Sequence, residues 1–157
     1  MMLRAAFTIF MLCIWATQYS LGAKLRSIIF ALMWSVIEPG LVWLNNGAVY
    51  TSLAQFLGNL LYIPFLLDVY GSWFLNNKAV YIMLFPLNIW LLELVLGRLF
   101  VLVLGRNVAW CYCTEPHAAF NGTLRWSHCV QWWALGMLAT ILYPPFKVWT
   151  DNFESKV

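Results

Sequence analysis

Cysteine and histidine residues cluster in the second half of the chain, where their side chains are of the types that bind metal ions. Cys111, Cys113 and His117 lie close together, and His128 and Cys129 follow. Structural zinc sites usually separate paired cysteines by two to four residues, whereas softer metals tolerate other arrangements. Because one residue separates the first pair, we expect no metal site. Cys113 and Cys129 are interpreted as small apolar residues, or as one disulfide if the loop faces an oxidising space.

His128 has the side chain of a haem ligand and lies near three tryptophans at the start of an apolar stretch. A histidine that is hydrogen-bonded at a membrane interface explains the same pattern, since tryptophan is enriched there. We favour the interface and expect no cofactor. The sequence contains no Ser-His-Asp set, no phosphate-binding glycine loop and no HExxH motif. It therefore predicts a protein that is not an enzyme.

Three ionisable residues interrupt apolar stretches, where they are costly and suggest function by default. Glu38 precedes Pro39 and Gly40, which both weaken a helix. Its carboxylate is expected at a kink, either in a functional site or near one membrane face, hydrogen-bonded or protonated. Glu93 and Arg98 are five residues apart, too far round a helix for an ideal ion pair. Each is therefore expected to find a partner on another helix or at a membrane face.

The composition is that of a membrane protein. The 157 residues are 63% hydrophobic and 10% charged, whereas soluble domains have about 25% charged residues. Apolar stretches of roughly 18 residues or more suit a bilayer core of about 30 Å. The net charge of +3 comes from scattered basic residues, which form no nucleic-acid patch. We expect membrane lipids as partners and no nucleic acid.

Five apolar stretches have the length of membrane-spanning helices. The expected spans are residues 5–21, 27–44, 50–70, 79–104 and 127–143. They define one all-α, multi-pass transmembrane domain, with an aromatic-rich polar loop at 105–126 and a short tail at 146–157. The first stretch also has features of a secretion signal, but we favour a retained helix. Lys24 and Arg26 are expected in a short loop, and Pro144 and Pro145 are expected to end the fifth helix.

Two uncharged polar residues lie inside the third expected span. Gln55 and Asn59 are four residues apart and so share one face of a helix. Polar side chains in spans more often form hydrogen bonds between helices than bind ligands. We therefore expect interhelical hydrogen bonds from this pair.

Basic residues in the short loops predict the orientation. One side of the membrane takes Lys24, Arg26, Lys78, Lys147 and Lys156, and the other takes Arg4, Arg106 and Arg125. This small excess places the carboxy-terminus inside and the 105–126 loop outside. Asn121-Gly122-Thr123 in that loop is a glycosylation sequon, a pattern that also occurs often by chance.

The stretch from Leu92 to Gly136 resembles a small multi-pass family. That family includes vertebrate transmembrane protein 229 and bacterial CmpB-like proteins labelled as components of a type IV ABC transporter. Its pattern has glutamate and glycine in one span, tryptophan and tyrosine in a loop, a Phe-Asn-Gly element, and tryptophan and glycine in the last span. The matching positions are Glu93, Gly97, Trp110, Tyr112, Phe120, Asn121, Gly122, Trp132 or Trp133, and Gly136, with Trp34 and Glu38 in an earlier span.

The resemblance covers about Phe30 to Gly136 and implies a four-helix core, to which the N-terminal helix is an addition. Where the family has an acidic residue between tryptophan and tyrosine, this chain has Cys111, with Glu115 nearby. Any role of that acidic residue is therefore in doubt here. The family's transporter label supplies no mechanism that can be mapped onto residues, and likeness of fold is not evidence of function.

We expect an accessory or scaffolding subunit of a larger membrane assembly, with other membrane protein subunits as partners. The first alternative is a membrane component that transports a small solute or lipid, because broken helices with polar residues form substrate sites. The second alternative is a metal- or haem-linked membrane subunit. The candidate site residues are Glu38, Glu93, Gly97, Arg98, Trp110, Tyr112, Asn121, Gly122 and Trp132.

Overall fold

The fold is given by a computed structural model that describes residues 2–46, 53–107, 110–113 and 116–156. Most of the chain is helical, which confirms the predicted all-α class. The helices are α1 (Met2–Gln18), α2 (Leu21–Asn46), α3 (Leu53–Ile63), α4 (Tyr70–Phe74), α5 (Lys78–Leu104) and α6 (Cys129–Glu154). A π-helical stretch, Pro64–Val69, joins α3 to α4.

A short hairpin lies in the connection between α5 and α6. Strands β1 (Ala118–Ala119) and β2 (Leu124–Arg125) pair in antiparallel orientation, with Ala118 opposite Arg125. A 3-10 turn, Trp126–His128, then leads into α6. The hairpin gives this connection a fixed path back across α5.

Helix α5 has conventional signals at both ends. The side chain of Asn77 caps its N-terminus by accepting a hydrogen bond from the backbone N–H of Val80 at 3.2 Å. Gly105 ends the helix in the left-handed conformation, at φ +78°, where glycine carries no steric cost. Within the described residues, α5 is the one helix long and apolar enough to cross a membrane.

Pro64 explains why the segment between α3 and α4 is π-helical. Pro64 has no N–H to donate to the preceding turn, and the helix continues from it in the π form. Next to this break, the carbonyl oxygen of Leu61 accepts a hydrogen bond from the Tyr19 hydroxyl at 2.8 Å. That bond ties the connection between α1 and α2 to α3.

Aromatic side chains from α4, α5 and α6 form the main core. Tyr81 and Phe85 are almost completely buried and lie beside Tyr70 and Tyr143. The Tyr70 hydroxyl donates to the carbonyl oxygen of Tyr81 at 2.7 Å, which satisfies a buried polar group. Gly136 lets α6 approach α5 closely, since an added Cβ would lie 3.0 Å from Phe85.

The predicted loop at Lys24 and Arg26 is wrong, because both residues lie inside α2. The side chain of Arg26 is only 4% exposed and faces two carboxylates. It donates to Asp68 at 3.1 Å, to the Thr150 hydroxyl at 2.6 Å and to Asp151. A basic residue that suggested a loop in the sequence is thus held inside the bundle by its partners.

The predicted end of the last helix at Pro144 and Pro145 is also wrong, since α6 continues to Glu154. The two prolines each remove one backbone donor, but contacts with α2 hold the helix beyond them. Arg26 binds Thr150 and Asp151, and a Glu154 carboxylate oxygen accepts from the Gly22 N–H at 3.1 Å. The expected short tail is therefore the last part of α6.

The positive and negative charges around Arg26 nearly balance, because Lys147 also binds Asp151 at 2.5 Å. Partial burial acts to raise the pKa of Asp151, but hydrogen bonds from Lys147 and Arg26 outweigh it and hold that pKa below its ordinary value. Asp151 is therefore a stable anion between two cations. We call Arg26, Asp68, Lys147, Thr150 and Asp151 the Arg26 cluster.

Replacing Arg26 should destabilise the fold far more than replacing Lys147, although both variants lose one positive charge. Arg26→Leu leaves Asp68 without its cation and should cost about 3–5 kcal/mol. Lys147→Leu breaks a pair whose side chains are 45% and 40% exposed, so its cost should be under about 1 kcal/mol. Thermal unfolding of the purified protein in detergent measures the difference. Equal melting temperatures for the two variants would contradict the central position of Arg26.

Candidate functional site

A cavity of about 80 Å³ lies between α2, α3, α5, α6 and the loop that follows α5. Its wall includes one carboxylate, one amide and several aromatic rings. The side chains that matter for its chemistry are Trp34, Asn59, Glu93, Trp110, Tyr112 and Trp132. Four of these six, Glu93, Trp110, Tyr112 and Trp132, are candidate site residues from the sequence, and the structure brings them together.

Glu93 is held from the loop side of the cavity. The Tyr112 hydroxyl donates a hydrogen bond to a Glu93 carboxylate oxygen at 3.2 Å. Tyr112 is itself fixed by its backbone N–H, which donates to the Gly122 carbonyl oxygen at 2.9 Å. Glu93 was expected to pair on another helix or at a membrane face, and one of its partners is a tyrosine in the loop after α5.

Aromatic rings continue from Tyr112 along α6. The rings of Tyr112 and His128 meet edge to face with centroids 5.3 Å apart, and His128 meets Trp132 in the same way at 5.6 Å. Trp132 in turn lies 6.4 Å from Trp34 on α2. His128 is thus half-buried and packed between aromatic rings at the start of α6.

The loop packs closely on α5 at Gly97. An added Cβ at this position would lie 2.5 Å from the Thr123 methyl carbon, and the Trp110 ring lies beyond it at 3.6 Å. Trp110 is fixed because its indole N–H donates to the Thr123 carbonyl oxygen at 2.9 Å. Gly97 is therefore required by the close approach of the loop, which places Trp110 at the cavity.

Gly122 has a conformational reason to be glycine. Its φ is +75°, and an added Cβ would lie 2.7 Å from the Cys113 sulfur and 2.8 Å from the Cys113 backbone nitrogen. Phe120 and Asn121 before it also have positive φ, and both are exposed. The Phe-Asn-Gly element is therefore a tight left-handed turn that brings the second half of the loop back onto the first.

The candidate residues Arg98 and Asn121 lie away from the cavity, and the side chain of a third candidate, Glu38, is not described. Arg98 is exposed on α5, and Asn121 is exposed in the turn, where a glycosylation sequon would be accessible. The side chains of Glu38 and Gln55, and Glu115 as a whole, lie outside the described part of the chain.

The disulfide in the structure is not the Cys113–Cys129 pair that was one of the two alternatives. Cys111 forms a disulfide with Cys113, with their Cα atoms 5.3 Å apart, and Cys129 is a free, half-buried thiol. Among the described residues, no group of three or more His, Cys, Asp and Glu side chains lies close enough together to hold a metal ion.

Sequence reasoning missed two features of the site. Asn59 was expected to form an interhelical hydrogen bond, whereas its side-chain nitrogen is buried at the cavity without a partner among the described residues. The Arg26 cluster was missed because its members are far apart in the sequence. The signal that could have found it was the predicted orientation, which places Arg26, Lys147 and the end of the third span on one side.

No protein-family model, curated protein or solved structure matches this chain.

Adding one methyl group at Gly97 should loosen the loop. Gly97→Ala places a Cβ against Thr123, and overpacking of this kind typically costs about 1–3 kcal/mol. Gly71→Ala is the matched control, because an added Cβ there has no neighbour within 4 Å. Thermal unfolding of both variants measures the effect.

A second substitution tests the cause. Thr123→Ser removes the methyl group that the new Cβ would meet, so the double variant Gly97→Ala/Thr123→Ser should regain most of the stability. If the effects of the two substitutions on the free energy of unfolding are simply additive, the close contact is not the reason for glycine at this position.

Proposed function

We propose that this chain is a multi-pass integral membrane protein that serves as a non-catalytic, accessory or scaffolding subunit of a larger membrane assembly. The observation that carries the proposal is the distribution of side chains. Polar and charged groups face one another inside the bundle, and large apolar side chains face outward. In water this arrangement would be costly, since exposed apolar patches of this extent are rare on soluble monomers.

Helix α5 gives the clearest case of the outward apolar face. Met83, Leu87, Leu91 and Val95 recur every four residues, and their side chains are 62%, 56%, 60% and 54% exposed. Residues four apart lie on one face of a helix, so these four form a continuous apolar stripe. Such a stripe is suited to contact with the hydrocarbon of lipids or with a hydrophobic partner helix.

Helices α2 and α6 carry similar outward residues. On α2, Val36 is 74% exposed, and on α6, Ile141 and Leu142 are 65% and 60% exposed. We infer that α2 and α6 cross the membrane together with α5, the α3–α4 unit and α1. In this arrangement the Arg26 cluster lies at one face of the bundle, and the loop after α5 lies at the other.

Exposed aromatic residues support a role in an assembly. Trp73 and Trp149 are 70% and 55% exposed, and Phe153 is 48% exposed. Aromatic side chains are enriched in protein interfaces and in the belt where lipid meets water. Because little of the chain lies outside the expected spans, these surfaces are the main means by which it would contact other subunits.

The proposed kinship with the transmembrane protein 229 and CmpB-like family is consistent with this role. Its support is that Glu93, Trp110, Tyr112 and Trp132 meet at one cavity. Gly97 and Gly122 are also positions at which an added Cβ would clash with the loop. On this proposal, the residues of the pattern hold the loop against the bundle, and none of them has to take part in a chemical reaction.

Purification from native membranes tests the subunit role. A tagged full-length chain, extracted in a mild detergent or in native nanodiscs, should elute with stoichiometric membrane protein partners that quantitative mass spectrometry identifies. A tagged, unrelated multi-pass protein of similar size is the control. A clean monomer in both media would overturn the proposal.

One observation favours a second candidate, a membrane component that carries a small solute or lipid. The cavity places the Glu93 carboxylate among polar and aromatic groups inside the bundle, as substrate sites of membrane carriers do. Glu93→Gln should then alter solute or lipid distribution across the membrane while the protein remains abundant. An unchanged distribution at equal abundance would exclude this candidate.

A lysine scan along α5 tests membrane placement. Leu91 lies at the middle of α5, where a lysine facing lipid should cost about 2.5–3.5 kcal/mol. Leu102 is 83% exposed near the end of α5, where a lysine can extend to the headgroups. We expect Leu91→Lys to reduce membrane insertion strongly and Leu102→Lys to have little effect, as measured by insertion and abundance assays. Equal tolerance of both would argue against a spanning α5.

A further inference from the structure

The disulfide between Cys111 and Cys113 lies in the loop after α5, and both of its residues are exposed. Exposed disulfides are open to attack by thiolates and are the labile, regulatory or catalytic ones, whereas structural disulfides resist reduction. A cross-link between residues two positions apart also closes a very short loop, and the entropic stabilisation from a disulfide falls as its loop shortens. This pair therefore has the access of a reactive disulfide and little value as a structural one.

The two sulfur atoms are not equally open to attack. The turn that ends at Gly122 packs against Cys113, because an added Cβ at Gly122 would lie 2.7 Å from the Cys113 sulfur. The carbonyl oxygen of Asn121 lies 3.8 Å from the same sulfur. A thiolate needs access to the sulfur that it attacks, and the turn covers part of the approach to Cys113. Attack at Cys111 is therefore favoured.

The reduced form of Cys113 already has a hydrogen-bond acceptor in the turn. A thiol is a weak donor, and the Asn121 carbonyl oxygen is within its reach at 3.8 Å. Once the bond to Cys111 is broken, the Cys113 thiol therefore finds a partner without any movement of the turn.

We propose that the Cys111–Cys113 pair is a thiol–disulfide exchange site, which a dithiol reduces by attack on the Cys111 sulfur. One thiolate of the dithiol forms a mixed disulfide with Cys111 and displaces Cys113 as a thiolate. The second thiolate closes the reductant's own disulfide and releases Cys111. Two electrons and two protons pass from the dithiol to the chain, which ends with two thiols. The inference goes beyond the subunit role and does not depend on it.

Reduction has a defined effect on the loop. Two sulfur atoms that are bonded at about 2.05 Å in a disulfide must separate to van der Waals contact when the bond breaks. Gly122 leaves Cys113 little room, so Cys111 and its neighbours move instead. Those neighbours are Trp110 and Tyr112, which the loop holds against the bundle. Tryptophan fluorescence should therefore report the redox state.

The test uses the purified full-length protein in detergent under non-reducing conditions. Denaturation, alkylation with a maleimide and intact-mass measurement should count two thiols, and peptide mapping should place the disulfide between Cys111 and Cys113. Titration with reduced and oxidised dithiothreitol should give a reversible two-electron transition, in which two further thiols and a change in tryptophan fluorescence appear together. Four thiols before reduction, or a disulfide that dithiothreitol leaves intact in the folded protein, would overturn the proposal.

Single variants test which sulfur is attacked. In the background Cys13→Ser/Cys129→Ser, the further substitution Cys113→Ser leaves one thiol at Cys111, and Cys111→Ser leaves one at Cys113. Because access controls the exchange, a water-soluble aromatic disulfide should react about tenfold faster with Cys111 than with Cys113. Equal rates, or a faster reaction at Cys113, would refute attack at Cys111.

Double variants separate this pair from the other two cysteines, which are free thiols. Cys111→Ser/Cys113→Ser should have the fluorescence of the reduced protein and should not respond to dithiothreitol. Cys13→Ser/Cys129→Ser is the matched control and should respond as the wild type does. The same response from both double variants would contradict the assignment. If Cys111→Ser/Cys113→Ser fails to fold, the titrations of the wild type and of the control still decide, and their failure leaves the subunit role intact.

Discussion

The pairing of Arg26 with Asp68 and Asp151 is the interaction on which the arrangement of the helices depends. A guanidinium that is 4% exposed must have its charge and its donors satisfied, because an uncompensated buried charge is far costlier than a broken surface pair. Its partners come from the π-helical stretch and from the end of α6. One side chain of α2 therefore fixes the relative positions of three separate parts of the chain.

The same requirement explains why α6 is longer than its sequence suggests. Pro144 and Pro145 weaken the helix, and a local interpretation ends it there. Thr150 and Asp151 lie two turns further and are the groups that satisfy Arg26. Since the helix must continue to deliver them, tertiary contacts decide the length of α6 against local propensity. The other end of α6, at Trp132, contributes to the cavity.

Composition predicted the helical class, and a pattern of residues singled out four side chains that line one cavity. Glu93, Trp110, Tyr112 and Trp132 were candidates because of their order in a pattern, and they do meet. The Arg26 cluster was not predicted, because Arg26 and Asp68 are more than 40 positions apart and their pairing leaves no local signal in the sequence. For the cysteines, the sequence left open a disulfide between Cys113 and Cys129, whereas Cys113 pairs with Cys111.

The cavity and the Arg26 cluster show two outcomes of one physical rule. Buried polar groups need hydrogen-bond partners, and in the cluster the chain supplies them for both terminal nitrogens of the Arg26 guanidinium, whereas its Nε has none among the described residues. At the cavity the Tyr112 hydroxyl binds Glu93, but Asn59 and Trp132 keep donors that the described chain does not satisfy. Among the described residues, buried polar atoms without a partner therefore occur both in the cluster, at Arg26 and Asp68, and at the cavity, at Asn59 and Trp132.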